Sequence, residues 1–191
     1  MAEPDPFRAL RNALLIPLGS GAPPRRIAVA AASLSGNSAT TTAGLARSIA
    51  ESGARVVAID CDLGRPALHE AFGVPNGTGL AAALGDSGPP ALVVADQVQV
   101  LPAGKTAPGT DALLTSERLQ ALFDLLLEKA DHIVMNTPPI VPGGEGVLVA
   151  TRSDAVVLVV EAGQATRKDG REAVALLRRA GAPLVGAVLA G

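Results

Sequence analysis

Along the chain, uninterrupted aliphatic stretches alternate with stretches in which apolar positions recur every three or four residues. Four of the first kind, Arg26 to Ala32, Arg55 to Ile59, His132 to Met135 and Ala155 to Val160, are bounded by turn signals and are apolar nearly throughout. A strand with no polar face is covered on both sides, which is the pattern of a parallel sheet between helix layers. Val98 to Leu101 and Leu184 to Leu189 are weaker candidates, so a sheet of about six strands is expected. Helical periodicity falls between the strands: Thr41 to Glu51, Ser116 to Glu128 with Leu119, Leu122, Phe123 and Leu126 on one face, and Arg167 to Arg179 with Val174, Leu176 and Leu177. Phe7 to Leu15 predicts a further helix, joined to the first strand by the Pro- and Arg-rich linker Ala22 to Arg26. Gly73 to Gly88 has the composition of turns around one short helix at Leu80 to Leu84. The whole predicts one α/β domain with a doubly wound, mainly parallel sheet over 26–191, preceded by an accessory helix and linker over 1–25.

Composition sharpens this picture. Of 191 residues 48% are apolar, yet only 3 are Phe and none is Trp or Tyr, so small aliphatic side chains must fill the core. A net charge of −2 gives no support to a nucleic-acid partner. No apolar run approaches the ~18 residues of a membrane span, and the start MAEPDPF is acidic where a signal peptide would be basic; no membrane insertion and a cytoplasmic location are expected. The absence of tyrosine removes tyrosine autophosphorylation from the possible activities. His69 and His132, the only histidines, lie too far apart in sequence to suggest a zinc pair, and Cys61 has no partner for an internal disulfide.

In a doubly wound sheet the loop from the first strand into the first core helix lies at the carboxyl edge, where free backbone N–H groups and a helix dipole favour anions. That loop runs from Ser33 to Thr42. A phosphate-binding loop needs G-x-x-x-x-G-K-[ST]; here there is one glycine, Gly36, and the first lysine of the chain is Lys105, far downstream. Thr40, Thr41 and Thr42 serve either as hydroxyl ligands or as caps of the following helix. The second strand ends on Asp60 and Asp62, a pair that fits either a hydrated magnesium or a polar turn, with Arg65 as the expected counter-charge. Cys61 between them is expected to be a packed, unreactive thiol, and Lys105 a solvated loop residue.

The residues from Arg55 to Leu80 resemble the second Walker segment of the bacterial tyrosine kinases of capsule and exopolysaccharide synthesis. Asp60, Asp62, Arg65, Pro66, Leu68, His69, Phe72, Gly73, Gly79 and Leu80 carry the match, and it continues through Leu101 to Gly104, Leu113 to Arg118, Asn136 to Pro139, Ser153-Asp154 and Thr166-Arg167. At the front, Asp5, Arg8 and Arg11 are similar to that family's E-x-x-R-x-x-R motif for ring oligomers, with Asp5 in place of the glutamate. The resemblance covers essentially the whole chain and implies a deviant-Walker P-loop NTPase fold of the MinD/ParA-like superfamily. It also implies a nucleotide site at Gly36, Ser38, Thr40, Thr41, Asp60, Asp62, Arg65 and Asn136.

The departures from the family pattern fall on that site. The loop lysine is missing, the Walker B aspartate is Asn136, the first arginine of an arginine pair is Gly64, an asparagine after the last strand is Ala190, and no tyrosine cluster is present. Phosphoryl transfer rests on positioning and on neutralising charge, so these losses point to a pseudoenzyme with no catalytic residues, no bound cofactor and no metal. The resemblance then implies a scaffold or regulator of exopolysaccharide synthesis and export, a homo-oligomer or ring through Asp5, Arg8 and Arg11, and a partner in the cytoplasmic part of a membrane polysaccharide co-polymerase. Two other readings stay open: a residual kinase or ATPase that binds ATP or ADP with magnesium at Asp60 and Asp62 and phosphorylates tyrosine in trans, and a partitioning-type ATPase.

Overall fold

The computed structural model describes residues 5–16, 21–85, 89–107, 109–142 and 144–191. Helix α1 (Pro6–Leu15) precedes β1 (Arg26–Ala31), α2 (Ala39–Ala50), β2 (Val56–Asp60), α3 (Leu68–Phe72) and α4 (Leu80–Leu84). There follow β3 (Val93–Ala95), β4 (Val98–Leu101), α5 (Ser116–Leu127), β5 (His132–Thr137), α6 (Glu145–Thr151), β6 (Ala155–Glu161), α7 (Arg167–Arg179) and β7 (Leu184–Ala190). One sheet takes all seven strands in the order β3-β4-β2-β5-β1-β6-β7, parallel except at β3. This is the doubly wound arrangement read from the aliphatic runs.

Alternation along each strand divides the core into two layers. Ile27 and Val29 of β1, Val56 and Ala58 of β2 and Val134 of β5 pack beneath α2 and α3, with Leu45, Ile49, Leu68 and Phe72. Their neighbours Ala28, Ala30, Val57, Ile59, Ile133 and Met135 pack on the other face with Leu80, Leu119, Phe123, Val149 and Leu177, from α4 to α7. Because β5 slots between β1 and β2, the carboxyl ends of these three strands converge on one point.

The accessory helix α1 lies on α2. The Phe7 ring sits directly over Gly44, where a Cβ would approach the ring to 2.4 Å, so only glycine permits this seat. Arg11 Nη1 then donates to the Ser48 carbonyl oxygen over 2.8 Å, and Leu10, Leu14 and Leu15 pack against the layer formed by α2.

The opposite ends of the strands are fixed by aspartates. Asp154 accepts from the amides of Arg25 and Arg26 and pairs with the Arg26 guanidinium at 2.7 Å. Asp131 does the same for Arg55, accepting its amide at 2.8 Å and its guanidinium at 2.7 Å. On the β2 side of the sheet, Arg47 of α2 donates to Asp96 Oδ2 and to the Ala71 carbonyl oxygen, both at 2.8 Å, with its guanidinium 4.6 Å from the centre of the Phe72 ring.

The sequence reading differs from the structure in detail. A seventh strand, β3, is too short to show a pattern of its own; it forms through a hairpin whose turn residues Asp96 and Gln97 take φ of 48° and 64°. Helices α3 and α6 were also not expected, since Glu145–Thr151 follows a Pro/Gly stretch that reads as loop. Helix α2 starts at Ala39, before the expected Thr41, whereas α5 starts at Ser116 as expected, with Thr115 capping it by accepting the Arg118 amide. Residues 86–88 of the expected Gly73 to Gly88 turn region lie outside the described residues.

Candidate functional site

The loop between β1 and α2 meets the ends of β2 and β5 around a cavity of about 330 Å³. Of the residues singled out from the sequence, Gly36, Ser38, Asp62, Arg65 and Asn136 line it, together with Asn37, Thr137 and Pro139. Thr40 and Thr41 stand in the first turn of α2 and are not among the lining residues; Thr40 is exposed and Thr41 buried.

Asp60 lies behind the cavity wall. It is fully buried, and both of its oxygens are engaged: Oδ1 accepts from Asn136 Nδ2 at 2.8 Å and the Asp62 amide at 3.3 Å, Oδ2 from the amides of Ala67 at 3.0 Å and Leu68 at 2.9 Å. Burial pushes this carboxyl above the ordinary aspartate range, against the pull of its four donors. The amide of Asn136 is satisfied on its other side by Ser38, whose hydroxyl donates to Oδ1 over 2.7 Å. Ser38, Asn136 and Asp60 thus form one closed chain of buried hydrogen bonds in which each partner's geometry fixes the next.

Asp62 turns away from Asp60 towards Arg65. Its Oδ1 accepts the Arg65 amide at 2.9 Å and its Oδ2 lies 3.7 Å from the guanidinium, as the sequence led one to expect. The Arg65 guanidinium also donates to the Leu34 carbonyl oxygen, bridging the β2 end to the β1 loop. From the far side, Ser35 Oγ donates to the Gln164 carbonyl oxygen at 2.9 Å and the Asn37 amide to Glu161 Oε2 at 3.2 Å. Asn37 Oδ1 in turn accepts the Ala39 amide and supplies the first cap of α2. Glu161 and Gln164 were missed by sequence reasoning, because a polar residue after an aliphatic strand reads as a solvated strand end.

Magnesium nucleotide is the group that the fold leads one to test here, and the residues present do not fit it. The loop offers no lysine, the Asp60 oxygens face Asn136 and three backbone amides, and the Ser38 hydroxyl is turned to Asn136. Among the described residues no group of three or more His, Cys, Asp or Glu is disposed to hold a metal ion. Cys61 is buried beside both aspartates; burial first, then their charges, push its thiol well above the ordinary range. A larger groove of about 670 Å³ lies between α1 and β7 and is walled mainly by aliphatic side chains; its charged residues, Arg25 and Asp154, are engaged in fixing strand ends.

Of the three residues expected at an oligomer interface, two have work within the chain. Asp5 caps α1 by accepting the Phe7 amide at 3.0 Å, and Arg11 holds α1 to Ser48; Arg8 is exposed.

Comparison with known proteins places the chain. No protein-family model matches it. It is 29% identical to a protein named putative tyrosine-protein kinase CapB of Staphylococcus aureus, over 97% of this chain and 82% of that protein. It is 30% identical to the tyrosine-protein kinase YwqD of Bacillus subtilis, over 80% of this chain and 66% of that one. The chimerical protein CapA2B2 superposes on it with a TM-score of 0.87 at 25% identity, covering 96% of this chain and 82% of that one. The chain belongs to the bacterial tyrosine-kinase family. Its P-loop NTPase fold is shared with the septum-site-determining protein MinD of Pyrococcus horikoshii, which superposes with a TM-score of 0.71 at 22% identity over 86% of this chain and 69% of that one. Within the tyrosine-kinase fold, the cavity described above occupies the strand-end position at which the sequence resemblance implied a nucleotide site. No helix among the described residues is long and apolar enough to cross a membrane.

Proposed function

We propose that this chain is a nucleotide-silent member of the bacterial tyrosine-kinase family that acts as a scaffold or regulator in exopolysaccharide synthesis and export. Its partner in this reading is the cytoplasmic part of a membrane polysaccharide co-polymerase, engaged by a homo-oligomer or ring. The observation that carries the reading is the Ser38–Asn136–Asp60 chain: the groups that would arrange a magnesium shell satisfy one another instead. The loop also has no lysine to balance a triphosphate, and the cation that does line the cavity, Arg65, is shared between Asp62 and the Leu34 carbonyl. By analogy with removal of one transition-state hydrogen-bond donor, each such loss would cost on the order of hundredfold in rate, and here they coincide. The exposed Arg8 on a helix firmly seated by Phe7 and Arg11 gives a partner a rigid surface to read.

The test is calorimetric titration of the purified chain with MgADP and MgATP, its concentration taken from peptide absorbance because Trp and Tyr are absent. No heat up to millimolar nucleotide is expected. Micromolar binding would sink the reading and redirect attention to phosphate release and tyrosine phosphorylation in trans.

A further inference from the structure

The missing lysine is one feature of this loop that weighs against phosphate, and a carboxylate bonded to the loop is another. The loop from β1 into α2 carries a backbone amide, that of Asn37, in the stretch ahead of a twelve-residue helix. That amide is already donated to Glu161 Oε2 at 3.2 Å, and the same oxygen lies 3.8 Å from the position a Cβ on Gly36 would take. Glu161 ends β6, the parallel neighbour of β1, so sheet pairing itself brings the carboxylate to the loop. The adjoining turn contributes a second tie, Ser35 to Gln164, and Arg65 adds a third on the opposite side.

A carboxylate in this place acts in two ways. It saturates a donor that phosphate binding requires, as anions do at loop amides ahead of helices. It also sets a negative charge within hydrogen-bond distance of the loop backbone, where at the effective dielectric of a protein surface its repulsion of a bound phosphate is worth more than about tenfold in affinity. The nearby positive charge offers little relief, because the Arg65 guanidinium is shared between Asp62 and the Leu34 carbonyl.

We propose that Glu161, which stands beside the loop and not among the residues lining the cavity, determines the specificity of the site: its carboxylate occupies the Asn37 amide as a built-in anion and turns the loop against phosphate-bearing ligands. The proposal deepens the nucleotide-silent reading and rests on it. Two variants separate the charge from the contact. Glu161→Gln keeps an oxygen able to accept the Asn37 amide and removes the charge; Glu161→Ala removes both.

The experiment titrates the full chain and both variants with inorganic pyrophosphate, with and without magnesium, after circular dichroism has established that each is folded. Exchange of the Asn37 amide proton is followed by NMR in the same samples. Both variants are expected to bind pyrophosphate at least about tenfold more tightly than the parent chain, and Glu161→Ala to exchange the Asn37 proton faster. Equal affinity in all three chains overturns the role of Glu161, and so does an absence of binding in all three, which leaves the silent reading standing. Tight MgATP binding by the parent chain would instead sink the silent reading, while the ratio between variants would still report on Glu161. If Glu161→Ala does not fold, the near-isosteric Glu161→Gln decides the matter alone.

Discussion

Asn136 Nδ2 donates to Asp60 Oδ1 across 2.8 Å, so the position that resembles the family's Walker B aspartate here serves as a donor to the other carboxylate of the site. An amide can hold that place at neutral pH without a cation, whereas an ionised carboxylate there would face Asp60 charge to charge.

Asn136→Asp would set two buried carboxylates against each other and leave Asp60 without its side-chain donor. The expected cost is roughly 3 kcal/mol at neutral pH. The sign follows from burial: both groups would titrate above their unfolded values, so the penalty grows as pH rises through the ordinary aspartate range and fades in acid. Urea denaturation at neutral and at mildly acidic pH measures it, and a penalty independent of pH would refute the account.

Ser38→Ala should cost about 1–2 kcal/mol, because the Asn136 carbonyl oxygen would lose its hydrogen-bond donor in a buried site. Combined with Asn136→Ala, the two effects should be clearly less than additive, since they act on one chain of bonds. A double-mutant cycle from denaturation midpoints tests this.

Gly44→Ala pushes a methyl into the Phe7 ring. Overpacking of this kind costs about 1–3 kcal/mol, and α1 is the element free to yield. Trypsin should therefore cleave after Arg8 and Arg11 faster in the variant while the sheet stays resistant. Unchanged cleavage would mean that α1 does not depend on this seat.

The carboxyl of Asp131 is held far below the ordinary range, first by its hydrogen bond from the Arg55 side chain and next by that from the Arg55 amide. Its contribution to stability is complete above the unfolded aspartate pKa of about 4 and is lost as pH falls below it. Asp131→Asn should flatten the acid limb of the stability curve and leave the neutral and alkaline limbs parallel to the parent, as read from denaturation midpoints against pH.

Cys61 is fully buried, with its thiol pushed well up by burial and by the charges of Asp60 and Asp62. A disulfide reagent at pH 8 should leave it unmodified in the folded chain and modify it rapidly in denaturant. Rapid labelling of the native protein would mean that the β2 end opens far more readily than its hydrogen bonds suggest.

The sheet was legible because its strands are covered on both faces, so Ile27, Val29, Val57 and Ile59 appear as aliphatic runs with no polar interruption. Strand β3 was not, because three residues carry no period and their hairpin is set by the backbone angles of Asp96 and Gln97. At the site, the residues that lie close in sequence to a motif were found: Gly36, Ser38, Asp62, Arg65 and Asn136 do line one cavity. What could not be read was the direction of each bond. That Asp60 looks inward and that Asp5 and Arg11 serve α1 itself depend on contacts made only after folding. Glu161 reaches the loop through the pairing of β6 with β1, across 124 positions of sequence.

Arg47 binds α2 to the end of α3 and to the hairpin between β3 and β4 through one guanidinium and one aromatic ring. Three segments that fold at different points along the chain are therefore riveted at a single atom group. Beyond the β2–β4 ladder and the shared apolar layer, this one side chain adds the polar link between the hairpin, α2 and α3, so its loss would be felt by all three at once.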